Sequence, residues 1–251
     1  MAPGRASHDI LHVVKHLAAA LMLLALNAGV AKAEERGRTV VVDAGHGGSN
    51  TGATGTAGWM EKQLMLLIAR QVRDRLTAAG FDVVMTRNRD ATLTLRQRVA
   101  AANQRGADLF ISIHANASPA RVQRGFETFV LTAAGVDIDG RALRSENGTP
   151  RPGVDPATAL VLDDVERGAC QWEAADLAAE VQRELRAVRG AAGDRGVRQD
   201  AHHVLLGATM PAVLVEVGFI DHPIEGKELM RPAVQAELAA AIARAIETQL
   251  R

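Results

Sequence analysis

The chain has 251 residues, as many acidic as basic side chains, a formal charge of zero and no tyrosine. That length fits one domain or at most two, the absence of a basic stripe speaks against nucleic-acid binding, and the low aromatic content speaks against a stacking surface for bases or flat sugars. A single cysteine, Cys170, excludes an internal disulfide, so stability must come from the core.

Residues 1–33 read as an export signal. Arg5, His12, Lys15 and His16 lead into an apolar run over 17–30, and Ala31-Lys32-Ala33 has the small-x-small form of a signal-peptidase site. The run is shorter than the ~20 apolar residues of a membrane span. No paired arginines precede it, which favours the general secretory route. Cleavage after Ala33 removes Arg5, Lys15, Lys32 and Asp9 and leaves a catalytic domain over 34–251 with a charge of −2. The expected location is periplasmic or secreted, with no stable membrane anchor after cleavage.

From residue 38 onward apolar runs alternate with helical patterns. Residues 39–43 read as a short buried strand rich in valine. Over 60–79, Leu64, Leu67, Ile68, Val72 and Leu76 recur at helical spacing, and Gly80 caps the segment. A second strand is expected over 81–85, a helix over 93–105 closed by Gly106, and strands over 109–113 and 125–131. A helix over 172–189 and a Gly-rich turn follow, then strands over 204–206 and 213–217 and an alanine-rich helix over 232–250. The alternation predicts an α/β fold: a mostly parallel twisted sheet with helices on both faces, in a single catalytic domain. Residues 132–171, rich in Gly, Pro and Asp, interrupt this rhythm for longer than most connections in a compact domain. They read as a flap or an insertion, with weak helical character over 156–166.

Four polar residues stand where a core has no use for them. His46 follows V-V-V-D-A-G and His114 follows L-F-I-S-I, so both arrive at the carboxyl edge of the sheet, where α/β folds bind ligands. Glu61 opens the first helix three residues before Leu64 and seven before Ile68, which puts its carboxylate on the buried face. A buried carboxylate costs several kcal/mol unless something compensates it, as a metal cation does. Glu216 stands at the end of the apolar run P-A-V-L-V-E. Two histidines and one carboxylate with an open position form a catalytic zinc (Zn2+) set, and a second glutamate serves as general base toward water. His202 and His203 start an expected strand, so at most one faces the site, and His222 reads as a loop residue. Cys170 lies in the irregular stretch with no histidine neighbour and is not read as a nucleophile.

These residues resemble the zinc-dependent N-acetylmuramoyl-L-alanine amidases of the amidase-3 catalytic family. The landmarks are V-V-D-A-G-H-G-G at 41–48, E-K at 61–62, T-R-N-R-D at 86–90 and A-D-L-F-I-S-I-H-A-N-A at 107–117. G-F-E-T-F-V at 125–130, D-R-G-V-R at 194–198 and P-A-V-L-V-E-V-G-F-I at 211–220 complete the series. The resemblance implies that His46, Glu61 and His114 bind zinc and that Glu216 is the catalytic glutamate. It also implies hydrolysis, in peptidoglycan, of the amide between the lactyl group of N-acetylmuramic acid and L-alanine of the stem peptide, in wall remodelling or cell separation. It leaves an activator protein open as a partner, and in this family the loop after G-F-E-T-F can carry a self-blocking helix, at the place of 132–171.

Two other readings use the same residues. A two-histidine, one-carboxylate set also describes non-haem iron oxygenases, but the β/α alternation disfavours them. A wall-binding protein that has lost catalysis would be expected to lack Glu216 or a ligand, and all four residues are present. The Gly-rich stretch after the first strand lacks the G-x-G-x-x-G order and a Walker lysine, so a nucleotide fold is not expected.

Overall fold

Val40, Val41 and Val42 are all fully buried, as a continuous apolar run demands when a strand is covered on both faces. They belong to β1 (Thr39–Ala44) in a computed structural model that describes residues 37–56, 58–131, 153–154, 156–200 and 203–251. The expected export signal over 1–33, most of 132–155 and His202 lie outside the described residues. Five more strands join β1: β2 (Asp82–Met85), β3 (Leu109–Asn116), β4 (Phe126–Leu131), β5 (Asp194–Asp200) and β6 (Ala212–Phe219). Their order in the sheet is β2-β1-β3-β6-β4-β5. The first four in that order run parallel, whereas β4 runs antiparallel to β6 and carries β5 parallel to itself. The expected α/β sheet is thus a mixed one, and the residues from Arg38 onward form one compact unit.

Side chains alternate between two faces of unequal cover. Val40, Val42, Ile111, Ile113, Val213, Val215 and Phe126 share one core with α1 (Glu61–Ala78), α3 (Pro156–Arg189) and α5 (Pro232–Leu250). Val41, Phe110, Ala212 and Leu214 face the other way, into a smaller core with Ala102 of α2 (Leu95–Arg105) and with Val204, Leu205 and Met210. A short helix α4 (Glu225–Leu229) links β6 to α5. The helices have the ends their sequences foretell. In α2, Thr94 and Gln97 form a reciprocal capping box and Gly106 closes the last turn in the left-handed region at φ +57°. In α1, the buried positions Glu61, Leu64, Met65, Ile68, Ala69, Val72 and Leu76 follow a single stripe.

Three expectations are corrected. Residues 156–171 are not irregular: they form the first part of α3, whose 34 residues span about 51 Å. Cys170 therefore sits in a helix. The weak helical character read over 156–166 is thus part of a much longer helix, whose extent the Gly-rich stretch upstream hid. Residues 204–206 are not a strand, because a 3-10 turn occupies His203–Leu205. The strand lies earlier, in the polar edge segment β5, where register with β4 rather than hydrophobic alternation sets the conformation. Finally β3 runs on to Asn116, so His114 lies within its strand and not beyond it, while Glu216 lies within β6 as expected.

Gln182 fastens α3 to the sheet. Its buried amide donates to the Phe126 carbonyl (3.2 Å) and Asp194 Oδ1 (2.6 Å) and accepts from Thr128 Oγ1 (3.0 Å). Ile111, fully buried at the centre of β3, tests the main core. Ile111→Ala should lower unfolding free energy by about 2–5 kcal/mol in urea titrations. Val122→Ala, at a site 70% exposed, should change it by less than about 0.5 kcal/mol. Equal losses at both positions would contradict this division of core and surface.

Candidate metal centre

The smaller face of the sheet changes character toward the carboxyl ends of its parallel strands. On β1 it passes from Val41 to Asp43, on β3 from Phe110 to Ser112, His114 and Asn116, and on β6 from Leu214 to Glu216. The antiparallel β4 contributes Phe129 and then Glu127 in the same direction. Register aligns His114 with Glu216 and Glu216 with Glu127, so these side chains form a polar row across three strands. The opposite face of β1, β3 and β6 is apolar, and on β4 its polar residue Thr128 is bonded to Gln182. A period of two lets one strand serve a dry core and a polar site at once.

Glu61 reaches this row from the first residue of α1. Its Oε2 lies 3.0 Å from His46 Nε2 and its Oε1 3.0 Å from His114 Nδ1. Backbone donors hold the carboxylate from behind, with Ala53 N–H on Oε2 (2.9 Å) and Ala115 N–H on Oε1 (3.0 Å). The two imidazoles meet edge to face, with centroids 4.8 Å apart. Of the residues singled out from sequence, His46, Glu61 and His114 are brought together, with Glu216 on the adjacent strand. His222 is a loop residue whose Nδ1 accepts from the Glu225 N–H (3.1 Å). His203 begins the 3-10 turn.

The His46 ring faces acceptors at both nitrogens. Its Nδ1–H donates to Asn50 Oδ1 (2.9 Å), an oxygen that also accepts from the Gly52 N–H (3.2 Å), and its Nε2 faces the Glu61 carboxylate. Either a second proton or a cation must stand between Nε2 and Glu61. Burial alone would lower the pKa of His46, but hydrogen bonding and charge from Glu61, with help from Asn50, outweigh it and raise it. Burial would likewise raise the Glu61 pKa, and the hydrogen bonds from His114 and His46 reverse that, holding it far below the usual carboxylate range. The three residues offer ligand atoms within 4.8 Å of one another. Two ligands on a tetrahedral ion at ~2.1 Å stand roughly 3.4 Å apart, so this donor set fits a divalent metal after a small contraction. The hydrogen bond to Asn50 supplies the outer partner that metal-binding imidazoles usually have.

Glu216 is compensated by nothing of the kind. Its Oε2 is buried and has no hydrogen-bond partner among the described residues. Burial, and then repulsion by Glu61 and Glu127, push its pKa well above the usual range. A buried polar atom without a partner costs about 1–3 kcal/mol and calls for a functional account.

A second layer, not singled out from sequence, fixes the His46 loop. His46 has φ +57°, a conformation that costs a non-glycine residue of order 1–3 kcal/mol. Arg98 donates to the His46 carbonyl (2.7 Å) and the Ala44 carbonyl (2.9 Å), and Arg87 to the carbonyls of Ala44 (2.8 Å), Gly45 (2.7 Å) and Lys62 (2.9 Å). Asp43 neutralises Arg98 at 2.7 Å and accepts from Ser112 Oγ (2.7 Å) and Thr86 Oγ1. Lys62 ties the Gly48 carbonyl (2.8 Å) to Asp90 (2.7 Å). Asp43 and Ser112 had a signal in the sequence, as polar interruptions of V-V-V-D and L-F-I-S-I. Arg87 and Arg98 had none beyond the T-R-N-R-D landmark that contains the former.

Comparison with known proteins agrees with this geometry. The family model for N-acetylmuramoyl-L-alanine amidase matches residues 40–248. The chain is 33% identical over 225 residues to the N-acetylmuramoyl-L-alanine amidase AmiA of Escherichia coli, covering 86% of this chain and 78% of that one. It is similar to the solved N-acetylmuramoyl-L-alanine amidase of Clostridium difficile 630, with a TM-score of 0.67, 28% identity, and coverage of 86% of this chain and 98% of that one. A further similar structure is the CwlD amidase of Clostridioides difficile in complex with the GerS lipoprotein, with a TM-score of 0.64, 25% identity, and coverage of 85% and 98%.

Gly45 presses on the histidine pair. A Cβ placed there would lie 2.4 Å from His114 Cε1, closer than real Cβ atoms come. Gly45→Ala should therefore displace the His114 ring and weaken divalent-metal affinity about 10–100-fold, the range seen when a ligand's support is disturbed. Calorimetric titration of metal-free protein reads this, and unchanged affinity would show that the trio does not hold the ion.

Proposed function

The chain belongs to the N-acetylmuramoyl-L-alanine amidase family, and from that premise we propose that it works with zinc held by His46, Glu61 and His114 and with Glu216 as general base. As a member it is a hydrolase of peptidoglycan that cuts the amide between N-acetylmuramic acid and L-alanine. The observation that carries the proposal is the convergence of two imidazoles on one buried carboxylate, with Glu216 aligned to His114 on the next strand. Bound zinc supplies a Lewis acid that polarises the amide carbonyl and eases deprotonation of water.

The chain's own residues do the rest. Glu61 and the Asn50 carbonyl fix the ring of His46, and Glu61 orients His114. Glu216 has an unpartnered oxygen on the same polar face. A carboxylate there accepts the proton of the attacking water and returns it to the leaving amine nitrogen. Burial and the charges of Glu61 and Glu127 raise its pKa, which makes it a stronger base toward the proton of water than an ordinary carboxylate.

The same proposal extends to the rest of the chain. Residues 1–33 serve as a cleaved export signal, and the mature enzyme acts in the periplasm or outside the cell. No helix of the described residues is long and apolar enough to cross a membrane. The complex of the similar CwlD amidase with a lipoprotein supports an activator protein as a partner. β4 ends at the sheet edge away from the trio, since Phe129 already pairs with Leu214 near the start of β6.

Glu216→Gln separates chemistry from metal binding. It should retain zinc at near-normal stoichiometry while muropeptide hydrolysis falls on the order of 10²-fold or more. His114→Ala should lose zinc and activity together. A Glu216 variant that loses zinc, yet recovers activity when zinc is resupplied, would overturn these roles. Zinc affinity should also fall as pH is lowered: the pKa of His46 is raised, so protons compete for its ring at higher pH than for a free imidazole. A titration of affinity against pH that is flat through the histidine range would contradict that competition.

A further inference from the structure

The polar row does not stop at Glu216. Glu127, 4% exposed at its side chain, lies opposite Glu216 on β4 and is the anchor of a cationic pair. Its Oε1 accepts from Asn116 Nδ2 (2.9 Å), and its Oε2 takes both Arg195 Nε (3.1 Å) and Arg198 Nε (2.5 Å) from β5. One guanidinium is enough to neutralise one carboxylate, so the pair leaves a surplus positive charge beside the site.

The two arginines differ in how they are held. Arg195 also donates to Gln123 Oε1 (3.3 Å) and stacks 5.0 Å over the Phe219 ring. It is a structural cation. Arg198 meets Glu127 through Nε, one of its five N–H donors, and its side chain is 48% exposed. Burial of Glu127 aims and immobilises this guanidinium at low cost in side-chain freedom, a preorganised fork for a carboxylate.

We propose that Arg198, aimed by Glu127, is a carboxylate-binding subsite for the stem peptide. This rests on the amidase reading above. On the muramic side of the scissile bond the lactyl carboxyl is consumed in the amide, so a free carboxylate near the bond belongs to the peptide. The spacing agrees. Arg198 bends from β5 onto Glu127, which places its charge about one strand spacing, ~4.8 Å, from the Glu216 row. The carbon bearing a carboxylate on the residue after L-alanine lies roughly one Cα–Cα step, ~3.8 Å, from the alanine Cα. The peptide therefore runs from the trio across β6 and β4 toward β5, and the sugar lies on the β1 side.

The test uses the full zinc-loaded chain and two muropeptides that differ only at the second stem residue, in a free carboxylate or its carboxamide. Wild type should show a KM about tenfold lower for the carboxylate, the effect of one charge-assisted hydrogen-bond pair. Arg198→Ala should erase that preference by raising KM for the carboxylate alone, with kcat little changed. Arg198→Lys, which keeps charge but loses the fork, should fall between them and carries the test if the alanine variant does not fold. Equal KM values for both substrates in wild type, or an Arg198→Ala loss shared equally by both, would overturn the subsite. Release of stem peptides from purified peptidoglycan by the same wild-type preparation separates the two ideas. Release without discrimination sinks only the subsite, and no release sinks the amidase reading with it.

Discussion

Glu61, Glu216 and Glu127 share the polar face of the sheet, and the repulsion that Glu61 and Glu127 exert on Glu216 sets the terms for what surrounds them. Two like charges about 5 Å apart repel by roughly 3 kcal/mol at an effective dielectric of 20, so each needs its own answer. Glu61 is answered by two imidazoles that share it, Glu127 by two guanidiniums and an amide. Glu216 has no such partner, and burial together with the charges of Glu61 and Glu127 raises its pKa. The three glutamates thus stand in three different electrostatic settings on one face of the sheet.

The His46 loop is the strained element in this arrangement. A single hydrogen bond would not hold a non-glycine residue at φ +57°, but the loop is clamped on several sides at once by Arg87, Arg98, Lys62 and Asp90. Arg87 and Arg98 are themselves buried charges, and Asp43 keeps Arg98 from being an uncompensated one. Removing one partner of such a pair is far more costly than never having built it. Rigidity of the His46 loop thus depends on a polar cluster lying directly beneath it, between β1, β3 and the start of α2.

Unequal cover of the two sheet faces explains where the site lies. Three helices pack on one face, so its strand residues remain apolar to their ends. On the other face α2 and the 203–210 segment cover only the part nearest the amino ends of the parallel strands. Beyond that cover the same strands turn polar, and a long substrate can lie across them without unfolding anything. The antiparallel entry of β4 adds Glu127 to the row and, through β5, the two arginines.

Much of this was legible in residue order. Apolar runs, the capping signals at Thr94 and Gly106, and the stripe along α1 follow from local periodicity, and so does the oddness of His46, Glu61, His114 and Glu216 in otherwise apolar surroundings. Those features depend on neighbours a few positions away, which a sequence displays directly. The edge strand β5 and the 3-10 turn at His203–Leu205 were not legible, because their conformations are imposed by register and tertiary setting rather than by their own composition. Nor was the pairing of Glu127 with Glu216, or the use of Arg87 and Arg98 as clamps. Strand order is decided by which distant segments lie side by side, and only that decision turns a scatter of charged residues, 68 positions apart for the two histidines, into one electrostatic unit.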